Sequence, residues 1–136
     1  MNIGVLTGGG DVPGLNAAIR AVARRSFEYG YDVYGIKDGW KGLIEGDVEQ
    51  LTAGRVSGIL HVGGTILGSS RTNPFKEDEE KEKRVKRTLD NVKHFGLDAI
   101  VAIGGDDTLG VASNLYDLGV KTVGVPKTMD NDVAET

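Results

Sequence analysis

Short apolar runs alternate along this chain with longer amphipathic stretches, and most of its glycine falls at the joints between them. The first run, residues 3–6, breaks into Thr7-Gly8-Gly9-Gly10-Asp11-Val12-Pro13-Gly14. Leu15, Ala18, Ile19, Val22 and Ala23 then recur at the spacing that places them on one helix face, with Pro13 tolerated near the first turn. Three later joints share one form: Gly30-Tyr31-Asp32-Val33, Gly96-Leu97-Asp98-Ala99 and Gly119-Val120-Lys121-Thr122 each end a helical stretch and open an apolar run. The glycine predicts a left-handed C-terminal cap, and the run behind it predicts the next strand. Strands are therefore expected at 3–6, 32–36, 99–103 and 122–125. With helices between them they pair in parallel. The expected fold is α/β, a three-layer parallel sheet with crossover helices, Rossmann-like in its N-terminal organisation.

Residues 37–75 form a longer and less regular region, containing Gly39-Trp40-Lys41-Gly42 and Gly63-Gly64-Thr65-Ile66-Leu67-Gly68-Ser69-Ser70-Arg71-Thr72. The charge run at 76–87 is expected to be a solvated helix face. Glu79 and Lys83, Glu80 and Arg84, and Glu82 and Lys86 stand four apart in the favourable order, while Val85, Leu89 and Val92 supply a buried stripe. Composition narrows the picture further. The chain has 136 residues, enough for one domain, a net charge of -4 and no cysteine, which removes disulfides, thiol nucleophiles and cysteine zinc sites. The mildly acidic balance lacks the basic footprint of a nucleic-acid binder, and no apolar run reaches membrane-spanning length. Cytoplasmic placement is the expectation. His61 and His94 lack partners at metal-ligand or triad spacing, and Trp40 reads as a packing group.

The candidate chemistry lies where strands end. In Ile103-Gly104-Gly105-Asp106-Asp107-Thr108-Leu109, two glycines, two carboxylates and a hydroxyl stand where a helix should begin. Outward-pointing backbone N–H groups there can hold a phosphate, and the carboxylates call for a divalent cation between them and it. Downstream, Pro126-Lys127-Thr128-Met129-Asp130-Asn131-Asp132 offers a lysine, a hydroxyl and two more carboxylates. Together they read as a phosphoryl-transfer site. The first loop is not a dinucleotide fingerprint, because Pro13 stands where the third glycine belongs; it is either an anion cradle or a tight turn. On its residues alone, Arg71 reads as a solvated arginine on a surface turn or as a guanidinium carried into an anion site. Asp106 or Asp107 could equally cap a helix, and Asp130 to Asp132 could form an Asx-type turn. Ligands of open parallel sheets bind beyond the carboxyl ends of the strands, so the glycine loop, the Gly-Gly-Asp-Asp joint and the 126–132 segment are expected on one edge.

Taken in order and spacing, the stretches 8–16, 63–71, 104–108 and 126–132 resemble the N-terminal part of a 6-phosphofructokinase, over essentially the whole chain. The resemblance implies phosphoryl transfer to the 1-hydroxyl of fructose 6-phosphate. It assigns Asp130 as general base, Thr128 and Met129 as sugar-phosphate contacts, Asp106 as the Mg²⁺-associated carboxylate and Gly10 as a donor-phosphate contact. Arg71 stabilises charge on the transferring group, and Asp132 supports the site. Asp107 and Lys127 stand where ATP-using members usually carry glycine, and these departures resemble the pyrophosphate-dependent branch. Pyrophosphate is accordingly the expected donor, with Asp107, Thr108 and Lys127 in its site, and ATP is the alternative. A joint of the form Gly-Gly-Asp-Gly-Thr also resembles NAD and lipid kinases, which lack the 126–132 pattern. The resemblance further implies a homo-oligomer when full length. The chain stops just beyond a candidate site, so 1–136 is expected to be a partial domain, inactive alone and limited to binding donor phosphate or a partner.

Overall fold

A computed structural model describes residues 1–9, 14–59 and 63–127. Their elements run β1 (Asn2–Thr7), α1 (Leu15–Glu28), β2 (Asp32–Ile36), α2 (Trp40–Glu45), β3 (Val48–Leu51), α3 (Ala53–Ser57), α4 (Lys81–His94), β4 (Ala99–Gly104), α5 (Asp106–Asp117) and β5 (Thr122–Pro126). One sheet holds the strands in the order β3-β2-β1-β4-β5. The pairings β1–β2, β1–β4 and β4–β5 are parallel, as expected, and the expected strands agree with the observed ones to within a residue at each end. Only β3 runs antiparallel, on β2, within the region read as irregular.

The glycine joints fold as their sequence requires. Gly30, Gly96 and Gly119 all have positive φ, at 77°, 61° and 94°. Each lies within a pair of bonds that satisfies the last helix carbonyls, as where Tyr31 N–H donates to Ser26 O at 3.0 Å and Gly30 N–H to Phe27 O at 2.9 Å.

The sheet divides two apolar layers because adjacent strand residues face opposite ways. Leu6, Ile36, Ile100 and Ala102 pack with Trp40, Leu43, Val92, Val111 and Leu115 from α2, α4 and α5. Val5, Val33, Leu51 and Ile103 face Leu15, Ile19, Ala23 and Val56 from α1 and α3. Helix α1 therefore buries the stripe its periodicity predicts. Helix α4 places Val92 in the core, with Val85 and Leu89 half-buried, but its ion pairs differ from those expected. The helix begins only at Lys81, leaving Glu79 and Glu80 outside its regular face. Lys86 pairs with Asp90 at 2.9 Å, Lys83 with Glu80 at 3.8 Å, and Arg84 with Asp78 at 2.9 Å. Among the described residues no helix is long and apolar enough to cross a membrane.

Candidate active site

Strand order reverses at β1, which has β2 on one side and β4 on the other. Such a switch point opens a crevice beyond the carboxyl ends of its strands, where α1 and α5 depart to opposite faces. The first loop and the Gly-Gly-Asp-Asp joint meet there: Gly8 N–H donates to Ile103 O at 2.9 Å. Strand β5 closes the other side, and Lys127 N–H donates to Gly104 O at 3.0 Å.

Close approach of the two joints depends on glycine. A Cβ at Gly8 would stand 2.2 Å from Thr108 Oγ1, and one at Gly104 would stand 2.7 Å from Thr108 Cβ. Thr108 is thus wedged between β1 and β4, 5% exposed, and its carbonyl accepts from Trp40 Nε1 at 3.3 Å. Trp40 is buried as the packing group expected, and it also borders the crevice.

The segment bearing Arg71 is stitched to the first loop. Gly9 N–H donates to Ser70 O at 3.1 Å, and Ser69 Oγ donates to Gly9 O at 2.6 Å. The resulting cleft, about 380 Å³, is lined by Gly9, Arg71, Gly105, Asp106, Asp107, Thr108 and Lys127. Lys127 Nζ reaches across the glycine loop, 3.6 Å from the Cβ position of Gly9. Helix α5 begins at Asp106, with Gly105 as its N-cap and no side-chain cap bond. Asp106 and Asp107 therefore stand exposed in the first turn and do not cap the helix.

The structure brings Arg71, Asp106, Asp107, Thr108 and Lys127 to one cleft. Gly10, Thr128, Met129, Asp130 and Asp132 lie outside the described residues, as does His61. His94 is exposed near the end of α4, edge-on to Phe95. Among the described residues no cluster of three or more His, Cys, Asp or Glu could hold a metal by protein ligands alone. The exposed Asp106 on this cleft nevertheless fits Mg²⁺, which characteristically takes one or two carboxylates and completes its shell with substrate phosphates and water. A larger groove, about 530 Å³, lies between α1 and α3 and is lined by Arg20, Arg24, Phe27, Glu28, Val56 and Ser57 among others. Its described lining contains no glycine loop and no paired carboxylates, unlike that of the crevice.

Sequence reading missed the polar groups that hold this geometry. Thr7 is fully buried, and its Oγ1 donates to Gly68 O at 2.9 Å. Asn16, 2% exposed, accepts from Ile66 N–H at 2.6 Å. Asn16 interrupts an apolar helix face next to Leu15, which was the available signal.

The family model described as Phosphofructokinase matches residues 2–136. The chain is 55% identical over 136 residues to the pyrophosphate--fructose 6-phosphate 1-phosphotransferase of Dictyoglomus thermophilum, which covers 100% of this chain and 38% of that protein. It is 53% identical over 137 residues to ATP-dependent 6-phosphofructokinase 3 of Streptomyces coelicolor, covering 100% of this chain and 39% of that one. Phosphofructokinase of Pichia pastoris in the T-state superposes with a TM-score of 0.84 at 34% identity, over 99% of this chain and 16% of that chain. The chain thus spans about two fifths of the length of the curated relatives it matches. A family model that reaches from the second residue to the last, and relatives more than half identical along the same span, place the chain in the phosphofructokinase family.

Proposed function

We propose that the polypeptide carrying this chain transfers a phosphoryl group from inorganic pyrophosphate to the 1-hydroxyl of fructose 6-phosphate, giving fructose 1,6-bisphosphate and phosphate, a step of glycolysis. Residues 1–136 form the donor-phosphate-binding part of its catalytic domain. The observation that carries this reading is the shared cleft of Asp107 and Lys127 with Gly9 and Arg71. An aspartate there places bulk and negative charge where the α-phosphate of a nucleotide would pass. The lysine supplies a cation for a small, highly charged donor.

In this reading Gly10 and the neighbouring loop backbone hold the donor, with Thr108 forming the floor. Asp106 would hold Mg²⁺ beside the donor, and the ion would supply screening of the phosphate charge. Thr128 and Met129 hold the sugar phosphate. Asp130 accepts the proton of the 1-hydroxyl as its oxygen attacks the terminal phosphorus, and the bridging bond breaks to release phosphate. Arg71 neutralises charge on the transferring group, and Asp132 supports the site. The protein acts in the cytoplasm as a homo-oligomer, with no nucleic-acid or membrane partner.

The alternative donor is ATP: an ATP-named relative is 53% identical, against 55% for a pyrophosphate-named one, so overall likeness does not choose between them. Turnover of the full-length enzyme with each donor decides it. The expected result is preference for pyrophosphate and a 10- to 100-fold loss of pyrophosphate affinity in Lys127→Gly, roughly the effect of one charged hydrogen bond. Preference of the unaltered enzyme for ATP would overturn the reading. The chain of 136 residues alone is expected to form no fructose 1,6-bisphosphate.

A further inference from the structure

Arg71 makes no hydrogen bond or ion pair among the described residues, yet it lines the cleft at a defined place. Its position must come from the backbone that carries it, and that backbone is pinned on both sides. Upstream, the single Thr7 hydroxyl proton goes to Gly68 O at 2.9 Å, which makes Thr65 the donor of the 3.0 Å Thr65–Thr7 pair. Leu67 N–H donates in turn to Thr65 Oγ1 at 3.1 Å, and Asp38 N–H donates to Leu67 O at 2.8 Å. Downstream, Arg84 on α4 spends its guanidinium on the same segment. Its Nη2 donates to Lys76 O at 2.7 Å and Asp78 Oδ1 at 2.9 Å, its Nη1 to Asp78 Oδ2 at 3.2 Å, and its Nε to Pro74 O at 3.4 Å. Arg71 stands three residues from Gly68 and three from Pro74, midway between the anchors.

We propose that Thr7 and Arg84 are positioning residues for Arg71, holding the two ends of the 68–74 span so that the guanidinium opens into the donor cleft. Neither side chain lines that cleft. The inference rests on the phosphoryl-transfer reading above. A misplacement of about 1 Å in such a group can cost 100-fold in rate, so loosening either anchor is expected to lower turnover.

The test is a double-mutant cycle on the full-length enzyme, with Thr7→Val and Arg84→Gln each made alone and combined with Arg71→Gln. Each anchor variant alone is expected to lower kcat by about 10- to 100-fold and leave the KM for fructose 6-phosphate within about twofold. In the Arg71→Gln background the same substitutions should lower kcat no further. Thr7→Ser, which keeps the hydroxyl, should retain full kcat. Independent, multiplying losses in the cycle, or a Thr7→Ser variant as slow as Thr7→Val, would overturn the proposal. Should Thr7→Val not fold, the Arg84→Gln arm and Thr7→Ser still decide. If the unaltered enzyme turned over neither donor, the function reading would fail by itself. The cycle would then be read on calorimetric binding of Mg²⁺-pyrophosphate, where coupled losses support the positioning role and independent losses or absent binding overturn it.

Discussion

Thr108 shows how one side chain sets the distance between two glycine joints. It fills the gap that Gly8 and Gly104 leave, and the two glycines meet different parts of it. A Cβ at Gly8 would press on Oγ1 at 2.2 Å, then on Cγ2 at 3.0 Å and Cβ at 3.1 Å; a Cβ at Gly104 would meet Cβ at 2.7 Å and both γ atoms at 2.8 Å. Both substitutions to alanine are expected to destabilise by about 1–3 kcal/mol, the usual cost of overfilling a packed site. Trimming the neighbour should separate them. Added to Gly8→Ala, Thr108→Ala removes the worst contact, so the pair should be more stable than the sum of its single losses predicts. Added to Gly104→Ala it leaves the 2.7 Å clash with Cβ, and the losses should come closer to adding. Thermal unfolding of the three single and two double variants beside the parent checks this, and equal coupling at both glycines would contradict the geometry.

At the scale of elements, the turn before α4 is the place where local charge has a structural consequence. Arg84, hydrogen-bonded to Asp78, is the largest influence on that carboxyl and holds its pKa below the ordinary aspartate value. A carboxylate favoured in this way stabilises the turn above its unfolded pKa, about 3.9, and the contribution is lost as pH falls through the folded value. Asp78→Asn should therefore loosen residues 73–80 at neutral pH, and its difference from the unaltered protein should vanish at acid pH. Hydrogen exchange of that segment against pH is the measurement. A difference that persisted below the folded pKa would show that the pair does not hold the turn. The effect should be small, since the carboxylate is exposed to water. This contact also shows what sequence reading reached and what it did not. The helix–glycine–strand joints were legible because cap and strand signals are local, and Gly30, Gly96 and Gly119 all behaved as read. The pairing of Arg84 with Glu80 was not, because four-residue spacing counts only where both residues are helical, and α4 starts at Lys81. Elements α2, β3 and α3, at six, four and five residues, are too short to show a hydrophobic period.

Over the whole molecule, the placement of the cleft was legible from topology alone. Parallel strands with their joints at one edge bring residue 9, the 105–108 joint and Lys127 together whatever the details of packing. What topology could not supply was the support of Arg71, which depends on buried polar contacts between residues as far apart as Thr7 and Gly68. Nor did it show how exposed β5 remains. Among the described residues this strand ends the sheet, with Val123 51% exposed and Gly124 open to solvent. Beside it, Tyr116 of α5 is 64% exposed and Leu118, the C-cap of that helix, 51%. A sheet edge with apolar side chains and unpaired backbone groups is a template for another strand. The chain of 136 residues in isolation is therefore expected to self-associate with rising concentration. A charge on the edge should oppose this, so Val123→Lys should shift the sedimentation profile toward monomer. The core residues of both layers are unaffected by that change, and its circular dichroism should match the parent. A parent chain that sediments as a concentration-independent monomer would mean that the β5 edge is already satisfied, and the expectation of an open edge would fall.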